Sequence, residues 1–225
     1  MPRTARILPD TGLFHIITRG NNRQIVFHDD NDFTAYIDLL KKYKGRFPFY
    51  LYHFVLMNNH IHLILETKED SNLSKIMQGL NLSYVYYYRK RYGYIGHFWQ
   101  DRFKSLLIEK DRYLLECGKY IEMNPVRAKI VTKPEDYKWS SYKVYAYGMQ
   151  SSLININPIY IGLGNTPEQR QENYREYTLS FEENVFNQNF YGSKEFISEM
   201  EQLYRIKSMP RKQGRPKKQE SNINV

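Results

Sequence analysis

Cys117 is the sole cysteine in 225 residues, so a disulfide framework is excluded and no cysteine cluster is available for zinc. No apolar run approaches the ~20 residues that a membrane-spanning helix needs. The opening MPRTARILPDTG lacks the apolar stretch of a secretion signal, so a cytoplasmic protein with no membrane partner is expected. No internal repeat is present, which removes solenoids and propellers. Acidic residues are also in deficit. Asp and Glu number 24 against 33 Lys and Arg, for a net charge of +9 and a pI near 9.4. That surplus favours a polyanionic partner, nucleic acid ahead of an anionic membrane surface. Aromatics, by contrast, are plentiful: 21 Tyr and 12 Phe can fill a core and also stack on exposed bases. Length and a hydrophobic content of 41% suit one substantial core with a smaller appended unit.

Periodicity orders the chain. LFHIITR (13–19) reads as a strand closed by the turn residues of GNN (20–22). Asp30 or Asn31 can cap a helix in which Phe33, Tyr36, Ile37, Leu40 and Tyr43 recur at helical spacing. Strands over 49–57 and 60–66 flank Asn58 and Asn59, good residues for a two-residue hairpin. A long helix over 72–92 would bury Leu73, Ile76, Met77, Leu80 and Tyr84. HFWQDRFKSLLIE (97–109) reads as a fourth strand, and DRYLLECGKYIEMN (111–124) as a helix that Pro125 discourages from continuing unbroken. The order β-α-β-β-α-β is that of the ferredoxin-like split βαβ arrangement. The expected class is therefore α+β, an antiparallel sheet with helices on one face and a helical C-terminal extension. Residues 1–148 would form the main domain and 149–206 a helical accessory region, with helices near 167–180 and 193–206. Residues 207–225 would be a basic disordered tail.

The chemistry centres on MNNHIHLILE (57–66). Residues two apart in a strand point the same way, so His60 and His62 share a face while Ile61, Leu63 and Leu65 pack the other. Such a pair suits either a half-exposed sheet face, satisfied by water or a tyrosine, or the bidentate grip of a divalent cation. In YIEMN, Tyr120 and Asn124 are four apart and would share a helix face. Tyr120 would be a reactive phenol or one more core aromatic. Asn124 would offer an amide oxygen to Mg²⁺ or Mn²⁺.

Taken together, MNNHIHLIL and CGKYIEMNPVRAKIV resemble the HUH single-tyrosine transposases, the IS200-like family, in their REP-associated branch. RGNNRQIVF (19–27), FWQDRFKSLLIE (98–109) and YKWSSY (137–142) resemble further motifs of that branch, and the resemblance spans about residues 10–148. It implies that His60, His62 and Asn124 hold Mg²⁺ or Mn²⁺ and that Tyr120 attacks a backbone phosphate of single-stranded, hairpin-associated DNA. A phenol, ionising near pKa 10, is both a tolerable nucleophile and a tolerable leaving group, so the step is reversible. The resemblance implies a monomer or a homodimer. The alternatives are a catalytically silent, sequence-specific DNA-binding protein on the same fold and a metal-dependent hydrolase with Tyr120 as bystander.

Basic side chains surround these motifs. Between Arg89 and Lys104 five Lys or Arg face one Asp. Arg102 and Lys104 alternate about Phe103 and, on one strand, would face one side. With Arg127 they are candidate phosphate contacts. Arg19, Asn22 and Arg23 are candidates either for DNA contact or for a turn that supports the histidine strand. RKQGRPKK (211–218) resembles an AT-hook, with Arg211, Arg215 and Lys217 reaching the minor groove of A·T-rich duplex.

Overall fold

The computed structural model describes residues 7, 9, 11–180 and 189–209. Arg211, Arg215 and Lys217 of the AT-hook-like tail lie outside the described residues. Among the described residues, five strands stand in the order β2-β3-β1-β4-β5. They are β1 (Gly12–Arg19), β2 (Phe49–Met57), β3 (His60–Thr67), β4 (Lys104–Ile108) and β5 (Phe190–Tyr191). The first four pair antiparallel, and β5 adds to β4 in parallel. Helix α1 (Asp30–Arg46) links β1 to β2, and α2 (Leu73–Tyr92) links β3 to β4. After β4 come α3 (Arg112–Glu122), α4 (Asn124–Arg127), α5 (Tyr142–Tyr147), α6 (Pro158–Ile161), α7 (Pro167–Leu179) and α8 (Lys194–Tyr204). The β-α-β-β-α-β order read from the sequence is the observed one.

Local chemistry sets the helix ends. Asp29, one residue before the expected cap, accepts from the backbone amides of Asn31 and Asp32 to start α1. Asn72 accepts from Lys75 to start α2, and Gly93 ends it with φ +63°, where a side chain would be strained. Helices α1 and α2 lie side by side on one sheet face. Phe14, Ile16, Leu56, Ile61, Leu63 and Leu65 meet Tyr36, Leu40, Ile76, Met77 and Tyr84 there. Burying each such side chain is worth about 1.5–3 kcal/mol, so this layer is the main hydrophobic mass of the fold.

Three expectations need correction. The helices are not confined to one face: α3 crosses the opposite face, where Leu114, Cys117 and Ile121 pack on Leu13, Val55, Met57, Ile64 and Ile108. The reason is that β2 is almost wholly buried, with apolar side chains on both faces, and needs cover on each. Gly118 permits the close approach, since a Cβ there would sit 2.5 Å from the His53 ring. The fourth strand is five residues long, not thirteen. Residues 101–102 bend and 97–98 carry no regular structure, so Arg102 and Lys104 do not alternate on one strand. Finally, Tyr120 and Asn124 do not share one helix: α3 ends at Glu122, the break that Pro125 favours, and Asn124 opens α4.

The YKWSSY segment runs along the outer edge of β2. The amide of Leu56 donates to the Trp139 carbonyl, that of Ser141 to the Phe54 carbonyl, and the Tyr137 hydroxyl to the Leu56 carbonyl. These bonds occupy the polar groups of an edge strand that would otherwise be open to pairing. Tyr145 of α5, Tyr160 of α6 and Tyr174 of α7 join the buried cluster begun by the sheet. Among the described residues, no helix is long and apolar enough to cross a membrane.

Candidate active site

Cross-strand register writes the map of the sheet face under α3. His60 sits opposite Arg19 on β1 and Met57 on β2, while His62 sits opposite Ile17 and Val55. Ile17 in turn pairs with Lys104, and His15 lies one step along, opposite Ile64 and Leu106. Three histidines, Arg19 and Lys104 therefore project from one face. At the usual strand spacing Lys104 and His62 are about 10 Å apart along the hydrogen-bonding direction.

The imidazoles form a contiguous group. His60 and His62 have ring centroids 4.9 Å apart, and His15 stacks on His62 at 5.1 Å. His15 Nε2 lies 2.8 Å from His62 Nδ1, and Asn59 Oδ1 lies 2.5 Å from His60 Nδ1. Both members of the H-x-H pair thus have Nδ1 engaged, which points to Nε2 as the nitrogen each presents outward. Burial lowers the basicity of all three. The pKa of His15 falls to about 3, and that of His60 to about 4, with Arg19 assisting. His62 falls well below its usual value through burial, then through His15, His60, Arg127 and Arg19. The three rings are neutral at pH 7, the state in which imidazole binds a metal.

The tyrosine helix completes the group. Tyr120, half-buried, has its ring edge-on to His15 with centroids 6.2 Å apart. The Arg127 guanidinium lies 4.1 Å from the centre of the Tyr120 ring and donates to Asn124 Oδ1 at 2.5 Å. Asn124 is buried, and its Nδ2 has no hydrogen-bond partner. A buried amide donor left so is costly and invites an incoming oxygen. The structure therefore brings together His60, His62, Tyr120, Asn124, Arg127 and Arg19. Lys104 lies on the same face farther out, and Arg102 stands apart on the bend before β4. Among the described residues, no three His, Cys, Asp or Glu side chains form a metal-binding group. A site of two imidazoles and one amide would not need such a trio.

Asn22 and Arg23 are exposed and both have positive φ, at +49° and +58°. Their turn clasps the β2–β3 hairpin. The Gly20 amide donates to the Asn59 carbonyl at 2.9 Å, those of Val26 and Phe27 to Asn58, and Asn59 Nδ2 to the Arg23 carbonyl at 3.3 Å. The RGNNR motif thus holds the residue, Asn59, that fixes the His60 ring. Left-handed conformations at two non-glycine residues are the kind of local strain that clusters at functional sites. Sequence reasoning missed His15. The signal available was a histidine at an inward position of β1, whose meaning depends on register with a strand 47 residues away.

A family model described as "Transposase IS200 like" matches residues 11–124, just over half of the chain. The chain belongs to the IS200-like transposase family. A solved REP-associated tyrosine transposase bound to a REP hairpin is similar in fold, with a TM-score of 0.57 and 20% identity over 69% of this chain and 95% of that one. A more distant structure, from a Deinococcus radiodurans protein ascribed to the transposases, reaches a TM-score of 0.38 at 15% identity, covering 60% of this chain and 97% of that one. No curated protein sequence matches the chain. Membership of the family makes this IS200-like protein a DNA transposase by type, and the matched region contains every residue of the histidine–tyrosine group except Arg127.

Proposed function

We propose that this transposase cleaves and rejoins single-stranded, hairpin-associated DNA through attack of Tyr120 on a backbone phosphate. The observation that carries the reading is Tyr120 standing edge-on to His15, which stacks on and hydrogen-bonds His62 of the His60–His62 pair, so that distant parts of the chain meet on one sheet face. The fold relative's REP hairpin supports the substrate class.

The phenol oxygen of Tyr120 bonds to phosphorus, the phenolic proton leaves, and the bond to the 3′ oxygen breaks as that oxygen gains a proton. The product is a 5′-phosphotyrosine and a free 3′-hydroxyl. A second 3′-hydroxyl then attacks the same phosphorus and releases Tyr120, so strand energy is kept without ATP. Arg127, over the Tyr120 ring, would meet the charge that builds on the phosphate oxygens and hold the ring. Asn124 Nδ2, buried without a partner, is a donor that an arriving phosphate oxygen would satisfy. Arg19, Lys104 and Arg102 would follow the strand backbone, and Asn22 and Arg23 present exposed polar groups beside it.

The donor set fits a divalent cation. His60 and His62 through Nε2 would hold Mg²⁺ or Mn²⁺, the two neutral nitrogens suiting Mn²⁺ well, and Asn124 Oδ1 would join them once Arg127, which now donates to it, turned to the phosphate. Such an ion, when bound, polarises a non-bridging phosphate oxygen and orients the phosphate for in-line attack.

The test is incubation with single-stranded hairpin DNA and Mg²⁺ or Mn²⁺, followed by denaturing electrophoresis and peptide mapping. A covalent adduct on Tyr120, lost in Tyr120→Phe while DNA binding stays, supports the reading. Binding with no cleavage would leave a silent DNA-binding protein. Cleavage with free 5′-phosphate ends and no adduct would leave a hydrolase.

A further inference from the structure

The family match ends at Asn124, yet the helix that carries Tyr120 completes its packing on residues well beyond that point. Glu122, two residues after Tyr120, is fully buried. Its Oε1 accepts from Ser141 Oγ at 2.5 Å and from His53 Nδ1 at 2.9 Å, and its Oε2 accepts from the Tyr174 hydroxyl at 2.7 Å. Neighbouring bonds fix the direction of each donor. Asn157 Oδ1 takes the Ile159 amide, so its Nδ2 donates to His53 Nε2 at 3.0 Å, and His53 is left to donate through Nδ1. Lys119, immediately before Tyr120, is also buried. Its Nζ donates to the Ser180 carbonyl at 3.0 Å and lies 4.4 Å from the Tyr177 ring centre.

Side chains on both sides of Tyr120 thus reach the segment 157–180, Glu122 through Tyr174 and, by way of His53, Asn157, and Lys119 through Ser180. A buried carboxylate that loses one of its donors is costly to keep in place, so a network this fully satisfied holds α3 to one setting. Tyr174 and Tyr145 belong to the same aromatic cluster, and the Tyr145 hydroxyl receives the Asn157 amide, so the segment is anchored in the core and does not float with the helix.

We propose that residues 157–180 are a brace for the tyrosine helix, with Glu122 as the positioning residue through which the brace sets Tyr120 over the histidine pair. The reading rests on Tyr120 acting as nucleophile. It gives the extension beyond the family region a part in the chemistry without contact with DNA.

The experiment compares full-length wild type, Tyr174→Phe and Tyr84→Phe. Tyr84 is a control on the other sheet face, where its buried hydroxyl donates to the Val26 carbonyl at 2.7 Å. Single-turnover cleavage at saturating hairpin DNA, DNA affinity, melting temperature and amide hydrogen exchange are read for each. Tyr174→Phe should cleave at least tenfold slower with affinity within twofold, and amides 119–122 should exchange faster. Tyr84→Phe should melt lower yet cleave at the wild-type rate, with those amides unchanged. The brace is overturned if Tyr174→Phe cleaves like wild type, or if both variants slow cleavage equally. Should wild type itself not cleave, the nucleophile reading fails, and exchange at 119–122 alone decides whether the segment fixes the helix. If Tyr174→Phe does not fold, Lys119→Met, which frees α3 from Ser180, carries the same expectations.

Discussion

His15 Nε2 stands 2.8 Å from His62 Nδ1, with the two rings stacked and both side chains buried beneath the tyrosine helix. The bond fixes which nitrogen of His62 faces outward, and the stacking fixes the plane of its ring. On the proposed reading of His62 as a ligand, His15 is a partner one step behind it, of the kind that orients the ring and tunes metal affinity. Replacing His15 by Phe keeps the stack and removes the bond. Mn²⁺ affinity, measured by calorimetric titration, should then weaken by about 10–100-fold. Affinity unchanged from wild type would remove His15 from the site.

The same burial gives the metal-free protein a pH dependence. His15 and His60 have pKa values of about 3 and about 4 when folded, and His62 is also well below 6.5. In the unfolded chain all three regain a value near 6.5. Below that value the unfolded chain takes up protons that the folded one refuses, so stability is full above pH 6.5 and declines as pH falls toward 4 and then 3. Urea unfolding at pH 7.5, 6 and 5 should show falling midpoints before most carboxylates begin to titrate. His15→Phe should flatten that fall. A midpoint constant from pH 7.5 to 5 would mean that the imidazoles are not held neutral.

Much of this arrangement was legible in the sequence, and the exceptions have physical causes. The two-residue spacing in HIHLILE puts His60 and His62 on one face, and the β-α-β-β-α-β order puts the helix with Tyr120 after the fourth strand. The second helix layer is hidden because FYLYHFVLM also fits a strand covered on one face, and only its near-continuous apolar character marks burial on both. The fourth strand is shorter than its sequence suggests because HFWQDRF is aromatic enough to look extended, whereas Asp101 and Arg102 turn the chain. Strand β5, two residues long and paired in parallel with a strand more than 80 residues earlier, leaves no local signature. His15 and Glu122 gain their roles from register and from tertiary hydrogen bonds, neither of which spacing can show.

Lys104 is exposed at the start of β4, on the face that carries His62. A phosphate contact there would release counterions, so Lys104→Ala should weaken DNA binding at all sequences alike. The slope of log affinity against log salt should fall by about 1. Lys42, exposed on α1 across the sheet, provides the comparison, and Lys42→Ala should leave the slope as it is. Fluorescence anisotropy across a salt series separates the two. Equal effects would assign Lys104 to general charge instead of to the DNA path.

Tyr120 meets His15, and through it His62, within a single chain, with Arg127 of the same chain 4.1 Å from its ring centre. Within this chain the helix that carries Tyr120 therefore packs on its own histidine strand. Exchange of α3 between copies would have to strip Glu122 of Ser141, His53 and Tyr174 before the helix could leave, and a buried carboxylate without donors opposes that step. Mixing Tyr120→Phe protein, which has the histidines and no nucleophile, with His60→Ala protein, which has the reverse, should then give no more covalent adduct on hairpin DNA than either alone. The mixture should stay silent even after hours of joint incubation at high concentration, since the barrier lies in the buried network and not in encounter. Recovery of adduct on the His60→Ala chain would show that helices trade places and that the network yields in solution.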